Sequence, residues 1–271
     1  MRNSKLASTG GGMAIGPGVG AGGGLGGGIG RGFGRGFGDF IGLLHKMGFE
    51  VVFVIDGSNS MQWVIDVAKQ RIGELVATVQ KMVPNARVGM VIYKDKGEDF
   101  VTRKSDLTFK FEKLGAFVNQ VESSGGGDYE EAVKDAILSA TREIAWRKFA
   151  HRVIVLVPSS PPRASEAKQI EDLVRTFHSA NGVLHAVDLS EPMHREFEIA
   201  MHKSIYGVPP EKLSPLPAFY VEMQNYYRQL AKLGGGELIP IHDRDKMSEQ
   251  LLVAAFGTKW KQEVSKFSGS K

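Results

Sequence analysis

One short stretch gathers residue types that hold hard cations: Asp56-Gly57-Ser58-Asn59-Ser60-Met61. It follows a continuous apolar run at 50–55 (EVVFVI), the pattern of a strand buried on both faces, and precedes a helical pattern from Met61. A carboxylate and two hydroxyls spaced two residues apart at a strand end point into a common hollow. Such oxygen donors suit Mg²⁺, Mn²⁺ or Ca²⁺. The amino end of the following helix adds a dipole that also favours anions. A plainer alternative stays open for the bare pattern: Asp56, Ser58 or Ser60 caps the helix and its neighbours make a turn.

Residues 61–82 carry helical spacing through Val64, Val67, Ala68, Ile72, Leu75, Val76 and Val79. A second strand reads at 87–93 (RVGMVIY), and a short third at 99–103 after a turn at 94–98. Helices are expected at 111–122, 129–146, 164–180, 219–233 and 245–267. Further strands fall at 152–157 (RVIVLV), 183–188 (VLHAVD) and 237–241. The loop at 123–128 reads SSGGGD, and the strand at 152–157 is stopped by Pro158 and the Pro161-Pro162 pair. Strands alternating with helices imply an α/β fold: a doubly wound, mostly parallel central sheet, Rossmann-like, with helices on both faces. Functional residues then collect at the carboxyl ends of the strands. Residues 190–218 break the rhythm with five prolines and are expected to form an insertion: a lid, a binding loop or a surface excursion.

Four segments taken together, FVIDGSNSM, GGGDYEEAV, RVIVLVPSSPPR and YRQLAKLGGGELIPI, resemble the von Willebrand factor A-type (VWA) domain. The spacing is similar to a bacterial subgroup whose second loop reads Gly-Gly-Gly-Asp-x-Pro-Glu-Ala. The resemblance spans residues 50–267. It implies that Asp-x-Ser-x-Ser is a metal-ion-dependent adhesion site, with Asp56, Ser58 and Ser60 holding a divalent cation directly or through water. An acidic residue of a partner protein would complete the coordination.

Two positions depart from the family pattern. Where the second loop usually supplies a threonine, this chain has glycines, so Asp128 is the nominated donor; it also suits the N-cap of the next helix, with Glu131 completing a capping box, and the two roles are compatible. Related domains carry an aspartate after the fourth strand, where this chain has Ser159. One carboxylate fewer weakens affinity for a dication, which leaves a weakly held metal, one bound only with a partner's carboxylate, or a metal-free site. The partner-binding rim is expected to include Trp63, Ser105, Thr108 and Tyr129, with residues 104–108 and 190–218 around them.

Other chemistry has little support. No cysteine is present, which excludes disulfides, a thiol nucleophile and Cys-ligated metal. GxxxxGK[ST] and GxSxG motifs are absent, and Ser58 stands where a dehalogenase-type phosphotransferase would need a second aspartate. His185 reads as a satisfied strand residue, and His194 and His202 are too far apart in sequence to share one helix face as ligands. The expectation is a non-catalytic module that binds a protein partner. The alternatives are a metal-dependent hydrolase or phosphotransferase, and an accessory subunit of an AAA+ or chelatase-like machine, which the resemblance permits.

Of the 34 glycines, 18 lie between Gly10 and Gly42, so residues 1–38 read as a Gly-rich tether before a domain at 39–271. Outside residues 1–39 the chain carries 30 basic and 29 acidic residues, which weakens the nucleic-acid reading that the pI of 9.1 invites. Two arginines in Arg31-Gly-Phe-Gly-Arg35-Gly-Phe-Gly make a poor RNA-contacting tract, and GxGxxG matches in the tail lack a flanking strand and helix. There is no apolar h-region and no membrane-length apolar run. The default expectation is cytoplasmic, or extracytoplasmic were an anchor to precede Met1.

Overall fold

The computed structural model describes residues 36–125 and 132–268. In chain order the elements are α1 (Phe37–Met47), β1 (Phe49–Asp56), α2 (Gln62–Met82), β2 (Arg87–Tyr93), β3 (Thr102–Thr108), α3 (Phe111–Asn119), α4 (Val133–Leu138), β4 (His151–Val157), α5 (Ala167–Ser179), β5 (Gly182–Asp188), α6 (Ser190–Tyr206), α7 (Ala218–Leu233), β6 (Gly235–Pro240), α8 (Met247–Phe256) and α9 (Lys261–Ser265). The six strands form one sheet in the order β3-β2-β1-β4-β5-β6. All pairings are parallel except β2 with β3.

β1 shows why the sheet must be covered on both sides. Its eight residues are all buried, and the two-residue period of a strand sorts them onto opposite faces. Phe49, Val51, Phe53 and Ile55 enter a core built with α1, α2, α3, α8 and α9. Val52 and Val54 enter a second core built with α4, α5 and α7. The doubly wound, mostly parallel architecture expected from the alternation of elements is the one observed.

Several local expectations are corrected. The third strand runs Thr102–Thr108, not 99–103, and it is an antiparallel edge strand. Only Leu107 among its residues is buried, so it carries no apolar run to mark it. Residues 190–218 are not an irregular insertion: the first 17 form α6. Pro192 stands in the first turn, where its missing N–H is not needed. The expected helix at 245–267 breaks at Gly257, whose φ of +91° suits glycine, giving α8 and α9. α1 was not anticipated; it packs Phe37 and Phe40 on Trp260, with ring centroids 5.5 and 5.3 Å apart. The tail before residue 36 lies outside the described residues, as does the start of the helix expected at 129–146. What is described of that helix ends early, in a π-helical turn at Ser139–Glu143, where the Thr141 hydroxyl donates to the Ile137 carbonyl.

Candidate functional site

β1 ends at Asp56 in the middle of the sheet, with Tyr93 of β2 beside it on one side. On the other side Ile55 pairs with Val157, so the chain leaving β4 brings Ser159 against Asp56. The Asp56 side chain is fully buried, and both of its oxygens are occupied. Oδ1 accepts the Ser58 backbone N–H at 2.8 Å, and Oδ2 accepts the Ser159 hydroxyl at 2.6 Å. The Ser60 hydroxyl donates to Ser159 Oγ at 3.5 Å and lies 3.2 Å from Ser58 Oγ. A buried carboxylate and three hydroxyls thus form one connected cluster that opens to solvent at the exposed Ser60. Burial raises the Asp56 pKa above the usual carboxylate range, while the hydrogen bonds from Ser159 and Ser58 pull the other way.

Backbone contacts fix the loop. The Gly57 N–H donates to the Tyr93 carbonyl at 2.7 Å, and a Cβ at Gly57 would stand 2.7 Å from Ile92 Cγ2 and 3.3 Å from that carbonyl. Gly57→Ala is therefore expected to lower stability by about 1–3 kcal/mol and to displace the Ser58 and Ser60 hydroxyls. Urea unfolding of the variant measures the first effect, and a variant as stable as the parent would show that the loop adapts freely.

The second loop docks on the first: the Ser124 N–H reaches the Gly57 carbonyl and the Asn59 N–H reaches the Gly125 carbonyl. Lys94, 1% exposed, holds that loop through Ser124 Oγ at 2.6 Å and is itself neutralised by Asp99 at 2.9 Å. Asp128 and Tyr129 lie outside the described residues. The Tyr227 hydroxyl donates to the Ser160 carbonyl at 2.6 Å, tying the third loop to α7.

The structure brings Asp56, Ser58, Ser60 and Ser159 together and sets Trp63 nearby at the start of α2. It does not bring Ser105 or Thr108 to this rim. Ser105 pairs with Met90 in mid-strand, and Thr108 pairs with Val88, at the amino half of β2. Because β3 is antiparallel and ends five residues later than expected, its last residues point away from the site. Asp188 is used structurally, accepting from Ser190 and Gln224 at the start of α6. The His185 Nδ1 accepts the Glu237 N–H at 3.3 Å, and His194 and His202 lie near the backbone carbonyls of Ser214 and Val208. Residues 190–218, expected on the rim, do flank the cluster and with Trp63 and Arg244 wall a groove beside it. What sequence reasoning missed is that its wall is the helix α6, signalled by the spacing of Phe197, Met201 and Ile205, and that Arg244 joins it.

The donor set is all oxygen, which fits a hard dication in kind. Among the described residues no group of three or more His, Asp or Glu side chains is suited to a metal ion, so Asp56 supplies the site's charge with hydroxyls around it. A cation would also require Ser159 to turn its proton off Asp56, which a hydroxyl rotor permits.

The family model described as von Willebrand factor type A domain matches residues 51–160, which shows the resemblance over that stretch. No curated protein matches the chain. Among solved structures, the conserved hypothetical protein BatB from Bacteroides thetaiotaomicron is similar at 17% identity and a TM-score of 0.50, covering 82% of this chain and 100% of its own. The open conformation of the pilus adhesin SpaC from Lactobacillus rhamnosus GG is similar at 9% identity and a TM-score of 0.52, covering 81% of this chain and 30% of the adhesin. The SpRpn10 VWA domain overlaps 51% of this chain and 74% of its own, at 17% identity and a TM-score of 0.42. At these identities the likeness to BatB and to the adhesin speaks to the fold alone.

Proposed function

From a chain whose residues 51–160 match the von Willebrand factor type A domain, we propose a non-catalytic interaction module that binds an acidic side chain of a protein partner. Domains of this type commonly serve as protein-interaction modules. The observation that carries the reading is the cluster at the carboxyl edge: one buried carboxylate joined to three hydroxyls, opening at Ser60. Asp56, Ser58, Ser60 and Ser159 would hold a divalent cation, Mg²⁺, Mn²⁺ or Ca²⁺, with Asp128 as a further donor. The cation would supply an electrophilic point for an incoming carboxylate. Ser159 in place of an aspartate leaves the site short of negative charge. Affinity for the bare ion is then low, and the partner's carboxylate supplies the missing charge. Among the described residues no helix is long and apolar enough to cross a membrane.

Thermal unfolding with EDTA and then with ~5 mM Mg²⁺, Mn²⁺ or Ca²⁺ tests this. For a Kd of ~1 mM, binding to the folded state alone adds about 1 kcal/mol. In a domain of this size that is a rise in Tm of about 2–4 °C. The rise is expected to vanish in both Asp56→Ala and Asp56→Asn. No shift with any ion, or an equal shift in the variants, would remove the cation from the proposal.

A further inference from the structure

Beside the cluster lies a groove of about 530 Å³ walled by Ser60, Trp63, Met193, Phe197, Phe219 and Arg244, among others. The charged groups of its wall are largely spent on one another. Arg244 pairs with Glu196 and lies 4.0 Å over the Trp63 ring, and the Glu198 carboxylate accepts the Ser214 N–H at 2.9 Å. What remains facing an occupant is apolar surface. Among the described residues, two buried donors in this wall, Trp63 Nε1 and Arg244 Nε, have no acceptor, which an outside carbonyl or carboxylate would relieve once the Arg244 side chain moves.

The apolar surface continues along α6. Phe197, Met201 and Ile205 recur every four residues and so share one face over about 12 Å; they are 65%, 48% and 63% exposed. Seven of the eleven large exposed hydrophobic residues among those described fall between Phe197 and Val221. The stripe of Phe197, Met201 and Ile205, continued by Phe219 in the groove wall, marks a contact surface, whereas scattered single residues would not.

Ser60 belongs to both features: it is a member of the hydroxyl cluster and a wall of the groove. A chain that delivers a carboxylate to the cluster at Ser60 can therefore continue into the groove without a gap. We propose that the groove and the outer face of α6 seat a partner segment carrying an acidic side chain and, within two helical turns of it, at least two apolar side chains. This rests on the reading of the Asp56 cluster as a carboxylate-binding site. A second copy of the chain or a lipid surface would engage the α6 stripe without using the cluster, and the shared place of Ser60 favours the partner segment.

The test uses the full chain in ~5 mM Mn²⁺ and a panel of fluorescently labelled helical peptides. Each peptide carries one glutamate, with leucine or phenylalanine about four and seven residues from it. Control peptides replace the glutamate by glutamine or the apolar pair by serine. Binding is expected to fall at least about tenfold with either control, and equally in the Phe197→Ser/Met201→Ser double variant. Both residues are exposed, so that variant is expected to fold and to keep the metal-dependent rise in Tm. Binding that needs the glutamate but ignores the double variant would overturn the groove while leaving the cluster reading intact. Binding lost in the double variant but indifferent to the glutamate, with no metal-dependent rise in Tm, would sink the cluster reading and the acidic half of this proposal. No binding across the panel overturns the proposal. Self-association in sedimentation, or binding to phosphatidylglycerol vesicles, overturns it too where the double variant abolishes either and no peptide binds.

Discussion

Replacing Glu50 by alanine is expected to cost about 3–5 kcal/mol of stability, although the residue is at the sheet end remote from the proposed site. Glu50 stands near the start of β1 with its side chain fully enclosed. Oε1 accepts Arg87 Nε at 2.7 Å and Arg147 Nε at 2.6 Å, and Oε2 accepts the Arg147 backbone N–H at 2.8 Å; Arg87 Nη2 also bonds Oε1. One carboxylate thereby fastens β2 and the connection before β4 to the central strand. Removing it leaves two guanidinium groups facing each other and an orphaned N–H. Both arginines keep part of their surface in water, which places the expected loss toward the lower end. Glu50→Gln retains the shape but offers an NH₂ where acceptors are needed, so most of the loss should persist. Chemical denaturation of the three proteins measures this; a loss below about 1 kcal/mol in the alanine variant would show that the arginines reorganise without penalty.

A loss of stability on the acid side, traceable to His151, is the second large effect expected. The residue keeps some exposure, but its ring is enclosed: it stacks on Phe49 at 6.0 Å and meets the edge of Phe40 at 6.2 Å. Burial lowers its pKa from 6.5 to about 4, with the nearby His185 acting in the same direction. The unfolded chain therefore binds a proton between pH 6.5 and 4 that the folded chain refuses. Stability from this group is present above pH 6.5 and is lost as pH falls toward 4, by about 3 kcal/mol in all. His185, buried and also lowered, contributes with the same sign. In His151→Gln the slope of unfolding free energy against pH across that window should be shallower by up to about 1.4 kcal/mol per pH unit. Parallel curves for the two proteins would mean that His151 is protonated in the fold without penalty.

What could be read in the sequence, and what could not, follows burial. β1, β2 and β4 announce themselves because the central stretch of a strand covered on both faces is a continuous apolar run, with charged residues confined to its ends. α2 announces itself because one helical face meets the core. β3 is an edge strand with one buried residue, so its charged sequence leaves its limits undefined. That error moved Ser105 and Thr108 to a rim they do not reach. α6 was taken into a Pro-rich insertion because four of the five prolines of residues 190–218 follow directly after it and its apolar stripe faces solvent.

Asp56, Ser58 and Ser60 could be singled out from sequence alone. Local spacing at the end of a buried strand places them within a few ångströms whatever the rest of the chain does. Ser159 needed a resemblance to suggest it, since 103 residues separate it from Asp56. Only the parallel pairing of β1 with β4 makes the two neighbours. The groove as a whole is written in no single segment, because Ser60, Phe197, Phe219 and Arg244 come from four separate ones. Sequence determines which residues can bind a hard ion, through side-chain chemistry and short-range spacing. Tertiary structure decides that both Asp56 oxygens are already hydrogen-bonded and that an apolar groove adjoins the hydroxyls. Those facts depend on how distant strands and helices pack, and no local pattern encodes that.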